Sequence, residues 1–235
     1  MSQTLEFVKD RATKTIAAAK AVAAQWTWQE KTVAQMNAAV VAIVGDNTVT
    51  PVLPGQEKIT SAAEQEMVNA RSAWDAKLDT LHKLTMQGVS MAKNRYRNDP
   101  IKLSLVADLS ARGDSRAAIL EEALNWETAW SKAEPGWSPL ATNTLAAFSP
   151  LRLLCAEPLQ QDYKDKLSAW REQAGILNQM AHALEDVNEA WYSDALDVFP
   201  AGTAEGDMIR GTIPTTYTPP PDKPAVTPPP PTPHP

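Results

Sequence analysis

Three stretches of this chain place apolar residues every seven positions, and that period restricts the fold more than any other feature of the sequence. The first, Thr4 to Val44, contains neither proline nor glycine. One row runs through Leu5, Ala12, Ala19, Trp26, Val33 and Val40, and a second through Val8, Thr15, Val22, Gln29, Met36 and Ile43. Nearly six heptads exceed chance amphipathicity, so the spacing predicts one coiled-coil-forming helix over 4–45. Gly45-Asp46-Asn47 supplies the stop, and Pro51 and Pro54-Gly55 extend the connection.

A second helix is predicted over 57–98, closed by Asp99-Pro100, because the residue before proline is pushed out of the helical region. Its rows are Met67, Trp74, Leu81 and Gly88, then Ala63, Ala70, Lys77, Leu84 and Met91, with Leu78 standing in for the intruding Lys77. The third, 158–198, carries Tyr163, Trp170, Leu177, Leu184, Trp191 and Val198 on one row. Leu167, Ala174, Ala181, Asn188 and Ala195 form the other, where a lone Asn188 is the kind of polar residue that fixes register. Helices of roughly 40 residues would each be about 60 Å long. Rods of equal length predict an all-α fold: an elongated bundle of three antiparallel coiled-coil-like helices within a domain of residues 1–200.

Between the second and third rods, residues 100–157 are punctuated by Asp99-Pro100, Gly113-Asp114, Ser138-Pro139 and Ser149-Pro150. These pairs read as N-caps and predict short helices over 101–111, 115–133, 140–148 and 150–156, either as a fourth strut or as an end cap. Residues 201–217 read as an irregular linker. Ten of the 19 prolines fall between Pro219 and Pro235, so 218–235 reads as a disordered tail that populates polyproline II.

Composition narrows the function classes. A single cysteine, Cys155, excludes an intrachain disulfide and a cysteine-cluster metal site, and its apolar surroundings predict a buried thiol. No secretory signal is visible, and the longest apolar run, Ala38 to Val44, is far too short to span a bilayer. A cytoplasmic location with no membrane association is therefore expected. A net charge of −6 argues against nucleic acid as a partner. The charge is uneven: five cations face three anions in the first helix, and nine anions, counting Glu157 just before it, face three cations in the third. Complementary charge favours those two as neighbours, within one chain or between chains.

Little here points to chemistry. Di-metal bundles use Glu-x-x-His on two helices, whereas this chain offers Asp79 with His82, and His182 with Glu185, in the wrong order and off the seams. No nucleophile elbow, phosphate-cradling loop or zinc-protease motif is present. Lys93 to Arg97 is the densest basic patch, and cations at a helix C-terminus complement its dipole. Arg112-Gly113-Asp114 spells an adhesion tripeptide, but a helix stop followed by an N-cap explains all three residues. Pro221 and Pro224 form one Pro-x-x-Pro with a poor basic flank, so the tail reads as a ligand or a spacer.

The expectation is thus a non-enzymatic structural or scaffolding protein that binds no cofactor and self-associates as a homo-oligomer or docks a protein partner. Trp26, Trp74, Trp170, Trp191 and Asn188, with Pro221 and Pro224 in the tail, are its candidate interaction residues. The alternative is a bundle enzyme or metal-binding protein using the His82/Asp79 and His182/Glu185 clusters.

Overall fold

A computed structural model describes residues 5–109, 113 and 115–213. Among these the regular structure is helical, apart from one ladder of two-residue strands, as the seven-residue period predicts. The chain divides into two compact units, one of residues 1–56 with 177–235 and one of residues 57–176.

In the first unit the expected single rod over 4–45 is corrected. Helix α1 covers Leu5–Val22 and helix α2 covers Val33–Val44, with a non-helical segment between them. The Thr32 hydroxyl accepts from the Gln35 amide at 3.2 Å while the Gln35 side chain accepts from the Thr32 amide at 2.8 Å, a reciprocal capping box that starts a new helix. Within the break, Trp28 turns into the core and its indole N–H donates to Asp194 Oδ2 at 2.7 Å. Helix α2 then packs back on α1. Val8 and Ala12 at the start of α1 share a cluster with Ile43 at the end of α2, and Val22 shares another with Met36 near the start of α2. The heptad rows still mark the buried faces, since Val8, Ala12, Thr15, Ala19, Val22, Met36 and Ile43 are all buried. A seven-residue period reports which side is apolar; it carries no information on where the rod doubles back.

Strand β1 (Gly45–Asp46) pairs antiparallel with β2 (Leu53–Pro54) after α2. Gly45 has φ 88°, and a Cβ there would lie 2.5 Å from the Gly55 amide nitrogen, so this crossing needs glycine. The later residues of helix α7 (Pro158–Val198) add Leu184, Val187, Trp191 and Ala195 to the core, with Phe199 buried where exposed Val198 was expected. The supposed irregular linker contains helix α8 (Ala204–Arg210), capped by the Thr203 hydroxyl, which accepts from the Gly206 amide at 3.0 Å.

The second unit contains helix α3 (Gln56–Arg95), helix α4 (Pro100–Val106), helix α5 (Arg116–Ala133), helix α6 (Leu145–Ala156) and the earlier residues of α7. Helix α7 has the expected extent, and α3 ends at Arg95, three residues short of the expected 98. On α3, Leu78 is buried and Lys77 is exposed, as expected. Past Leu81 the buried positions are Thr85, Gly88, Val89 and Ala92, while Met91 is exposed. The rows Trp74, Leu81 and Gly88 and Leu78, Thr85 and Ala92 thus keep the seven-residue spacing, the second displaced by one position from the expected row of Lys77, Leu84 and Met91.

The insert is corrected in detail. Asp99 caps α4 as predicted, but Ser115 caps α5, and Thr144 caps a single α6 that replaces the helices expected over 140–148 and 150–156. Pro150 lies inside α6, where it removes one helical hydrogen bond. Fully buried Phe148 and Cys155, one on each side of it, hold the turn in place. The insert's helices enclose the α3 stretch from Trp74 to Tyr96 in one cluster with Trp126, Trp130 and Phe148. Arg112, Asp114 and the tail over 218–235, with Pro221 and Pro224, lie outside the described residues.

Candidate functional site

A charged group is sealed inside the first unit between α1 and α7. Arg11 is 5% exposed; its guanidinium pairs with Glu185, lies 3.6 Å from Glu189 and sits 5.9 Å over the Tyr192 ring. Asn188, 1% exposed, donates from Nδ2 to Glu185 Oε2 at 3.3 Å. Arg11 Nε, Thr15 Oγ1 and Asn188 Oδ1 are buried with no hydrogen-bond partner. The charge asymmetry of the sequence is therefore used within one chain. Arg11 escaped notice as a site because it counted only as one cation among five. Its place three residues after the seam position Val8 and four before Thr15 was the available signal.

Beside this network, Trp26 and Trp191 meet at a centroid distance of 6.4 Å, and Trp26 lies 6.3 Å from Phe199. Trp191 is buried whereas Trp26, placed in the α1–α2 break, is half-exposed. Both belong to a groove of about 80 Å³ that also involves Val22, Trp28, Val33 and Met36, with exposed Lys31 and Thr32 at its edge. The heptad pattern placed Trp26 in a helical seam; the break turns it into one wall of a groove.

In the second unit, aromatic rings fill the core. Trp126 stacks on Trp130 at 5.1 Å, and Trp130 meets Phe148 at 6.0 Å and Trp137 at 6.4 Å. A Cβ at Gly88 would come within 2.7 Å of the Trp126 ring, so glycine is what admits that ring against α3. Cations lie on ring faces at the edge of this core. Arg116 sits 4.8 Å over Trp74 and 5.6 Å over Tyr163 while donating to both carboxylate oxygens of Asp75, at 2.7 and 2.8 Å. The hydrogen bond from Arg116 holds the Asp75 carboxyl below its ordinary range. Arg95, 5.3 Å over Trp137, grips Glu134 in the same manner and lowers its pKa. Trp74 is buried, and its indole N–H donates to the Cys155 carbonyl at 2.9 Å. Burial pushes the Cys155 thiol up. The basic patch is largely consumed inside the unit: Lys93 donates to the Leu109 carbonyl at 2.7 Å, and Tyr96 is buried.

Trp170 behaves differently from the other seam tryptophans. It is half-buried and belongs to none of the three buried clusters. No residue of α7 from Pro158 to Ile176 is buried, and on α3 only Thr60 is buried before Ala70. Here α3 and α7 touch through the Thr60 hydroxyl, which donates to the Gln173 carbonyl at 3.2 Å, and through the Lys166–Glu66 pair at 2.7 Å. Ile59 and Val68 are exposed on the same part of α3.

The two histidine clusters are not assembled as the sequence arranges them. His82 Nδ1 lies 3.6 Å from Glu122 Oε2, across to α5, while Asp79 is exposed. His182 is exposed, and Glu185 is taken by Arg11. Among the described residues, no group of three or more His, Cys, Asp or Glu could hold a metal ion, and no helix is long and apolar enough to cross a membrane. No protein-family model, curated protein or solved structure matches the chain.

Proposed function

We propose that this protein is a non-enzymatic helical scaffold that works by docking helix faces, with a second copy of the chain as partner. One observation carries the reading: beyond Tyr163, which packs on Trp74, α7 displays Leu167, Trp170 and Ala174 at coiled-coil spacing yet buries none of them. A pair of helices encloses its seam by only one layer, and a tryptophan is too large to be covered that way. Helices from a second copy would cover it. The mixed charges beside the seam, Asp162, Lys164, Asp165, Arg171 and Glu172, are suited to selecting partner and orientation, as flanking charges do in coiled coils.

Light scattering on the full chain over a range of concentrations tests this. Trp170→Glu should abolish association and leave helix content unchanged, and Trp170→Ala should weaken it. Wild-type protein that stays monomeric at high concentration would end the homo-oligomer reading. Unchanged association in Trp170→Glu would move the interface elsewhere.

A further inference from the structure

We infer that the groove beside Trp26 is a binding site for a proline-rich segment, and that its occupant is the Pro219-Pro220-Pro221 run of the same chain. Three observations converge on it, and none depends on the scaffold reading.

The first is chemical. Proline-rich strands are recognised by grooves walled with aromatic rings, where the pyrrolidine ring packs flat and the pre-extended backbone loses little entropy on binding. Trp26, Trp28 and Trp191 converge on this groove with Val22, Val33 and Met36, and Trp26 keeps part of its ring exposed. Trp28 is locked by its bond to Asp194, so the wall is rigid before anything binds. The second is size. About 80 Å³ is half of the ~150 Å³ cavity that takes up benzene, room for the three methylenes of one proline ring but not for a folded ligand.

The third is reach. Helix α8 packs on α1, where Gly211 and Thr212 line a shallow depression with Lys14, Ala17 and Ala18. The depression and the groove thus lie along the same turns of α1 but on different faces, since successive residues of a helix point about 100° apart. From Ala18 to Val22 the helix rises about 6 Å, and passing around α1 to the groove's face adds up to its diameter of about 10 Å. Pro219 lies six positions after Ile213, the last described residue, and six residues span up to about 20 Å. The proline run can therefore reach its own groove with slack. Ten prolines in this tail would then be more than a spacer: the first three are a ligand carried in cis.

The full chain tests this by paramagnetic relaxation. A nitroxide attached at Pro224→Cys sits about 9 Å beyond Pro221 in a polyproline II strand. The native Cys155 is fully buried, so labelling is selective. The indole signal of Trp26 and the amide signals of Ala23 and Lys31 should lose most of their intensity and recover when the nitroxide is reduced. Adding Pro219→Ser, Pro220→Ser and Pro221→Ser, which leaves the helical body untouched, should restore those signals. Trp26→Ala should abolish the broadening at Ala23 and Lys31. Signals unaffected by the label, broadening spread evenly over the first unit, or broadening that survives the triple serine substitution would each overturn the proposal. So would broadening seen only between labelled and unlabelled chains in a mixture, since the occupant would then be the tail of a second copy.

Discussion

In residues 57–176 the guanidinium groups of Arg95 and Arg116 stay at the edge of the core, each lying over a tryptophan and each held by one carboxylate. In the unit of residues 1–56 and 177–235, Arg11 is instead sealed between α1 and α7 with Glu185 and Asn188. The difference follows from what fills each interior. Large rings pack the second unit and keep these guanidinium groups at its edge; the carboxyl group it buries, Glu122, lies 3.6 Å from the His82 imidazole. The first unit packs Ala12, Ala18 and Ala19 against α7-side residues such as Ala195, and small side chains leave room for a long cation to run along the interface. A buried charge must keep its partner, whereas an exposed one over a ring loses little when the partner goes.

This contrast can be broken by substitution. Arg11→Met should cost about 3–5 kcal/mol, because Glu185 is left as an uncompensated charge, and Arg11→Met with Glu185→Leu should recover most of the loss. Arg116→Met, at the exposed edge, should cost no more than about 1 kcal/mol. Equal losses in chemical denaturation would show that the depth of the charge does not matter here.

The density of the aromatic core gives a second, smaller effect. In an ordinary helix interior, Gly→Ala is favourable by about 1 kcal/mol. At Gly88 the sign should reverse, to a loss of about 1–3 kcal/mol, because the new methyl meets the Trp126 ring at 2.7 Å. Trp126→Phe should relieve it, since the atoms that would clash belong to the indole nitrogen side of the ring. Stability that rises in Gly88→Ala would mean that α3 and α5 can move apart.

The smallest expected effect is on pH dependence. Asp75 has a depressed pKa in the folded chain, so its pairing contributes fully above about pH 4. The contribution is lost as the pH falls through the lower folded value. Asp75→Asn should flatten that acid limb by less than about 1 kcal/mol, as the pair is partly exposed. An acid limb of unchanged slope in Asp75→Asn would assign it to Glu134 or other carboxylates.

Periodicity made α3 and α7 legible to within a few residues, and it identified Trp74 and Trp191 as buried. It also marked the correct faces of α1 and α2 while missing the break between them. The capping box at Thr32 and Gln35 was the local sign of that break, outweighed by uninterrupted heptads. Pro150 misled in the opposite direction, because a proline that usually begins a helix was tolerated within one by the packing of Phe148 and Cys155. The groove beside Trp26 had no signature at all: its walls come from α1, the break, α2 and α7, which only the folded chain brings together.

By itself, then, the sequence determined the all-α class, the two long helices and the apolar face of each segment. These depend on backbone periodicity and on side chains within a few turns of one another. Tertiary structure decided where the first rod doubles back, which cation is buried, and that Trp170 lies half-exposed while Trp74 and Trp191 are enclosed. The reason is physical. A seven-residue row states that a face is apolar, but whether that face is covered depends on which distant helices arrive to cover it.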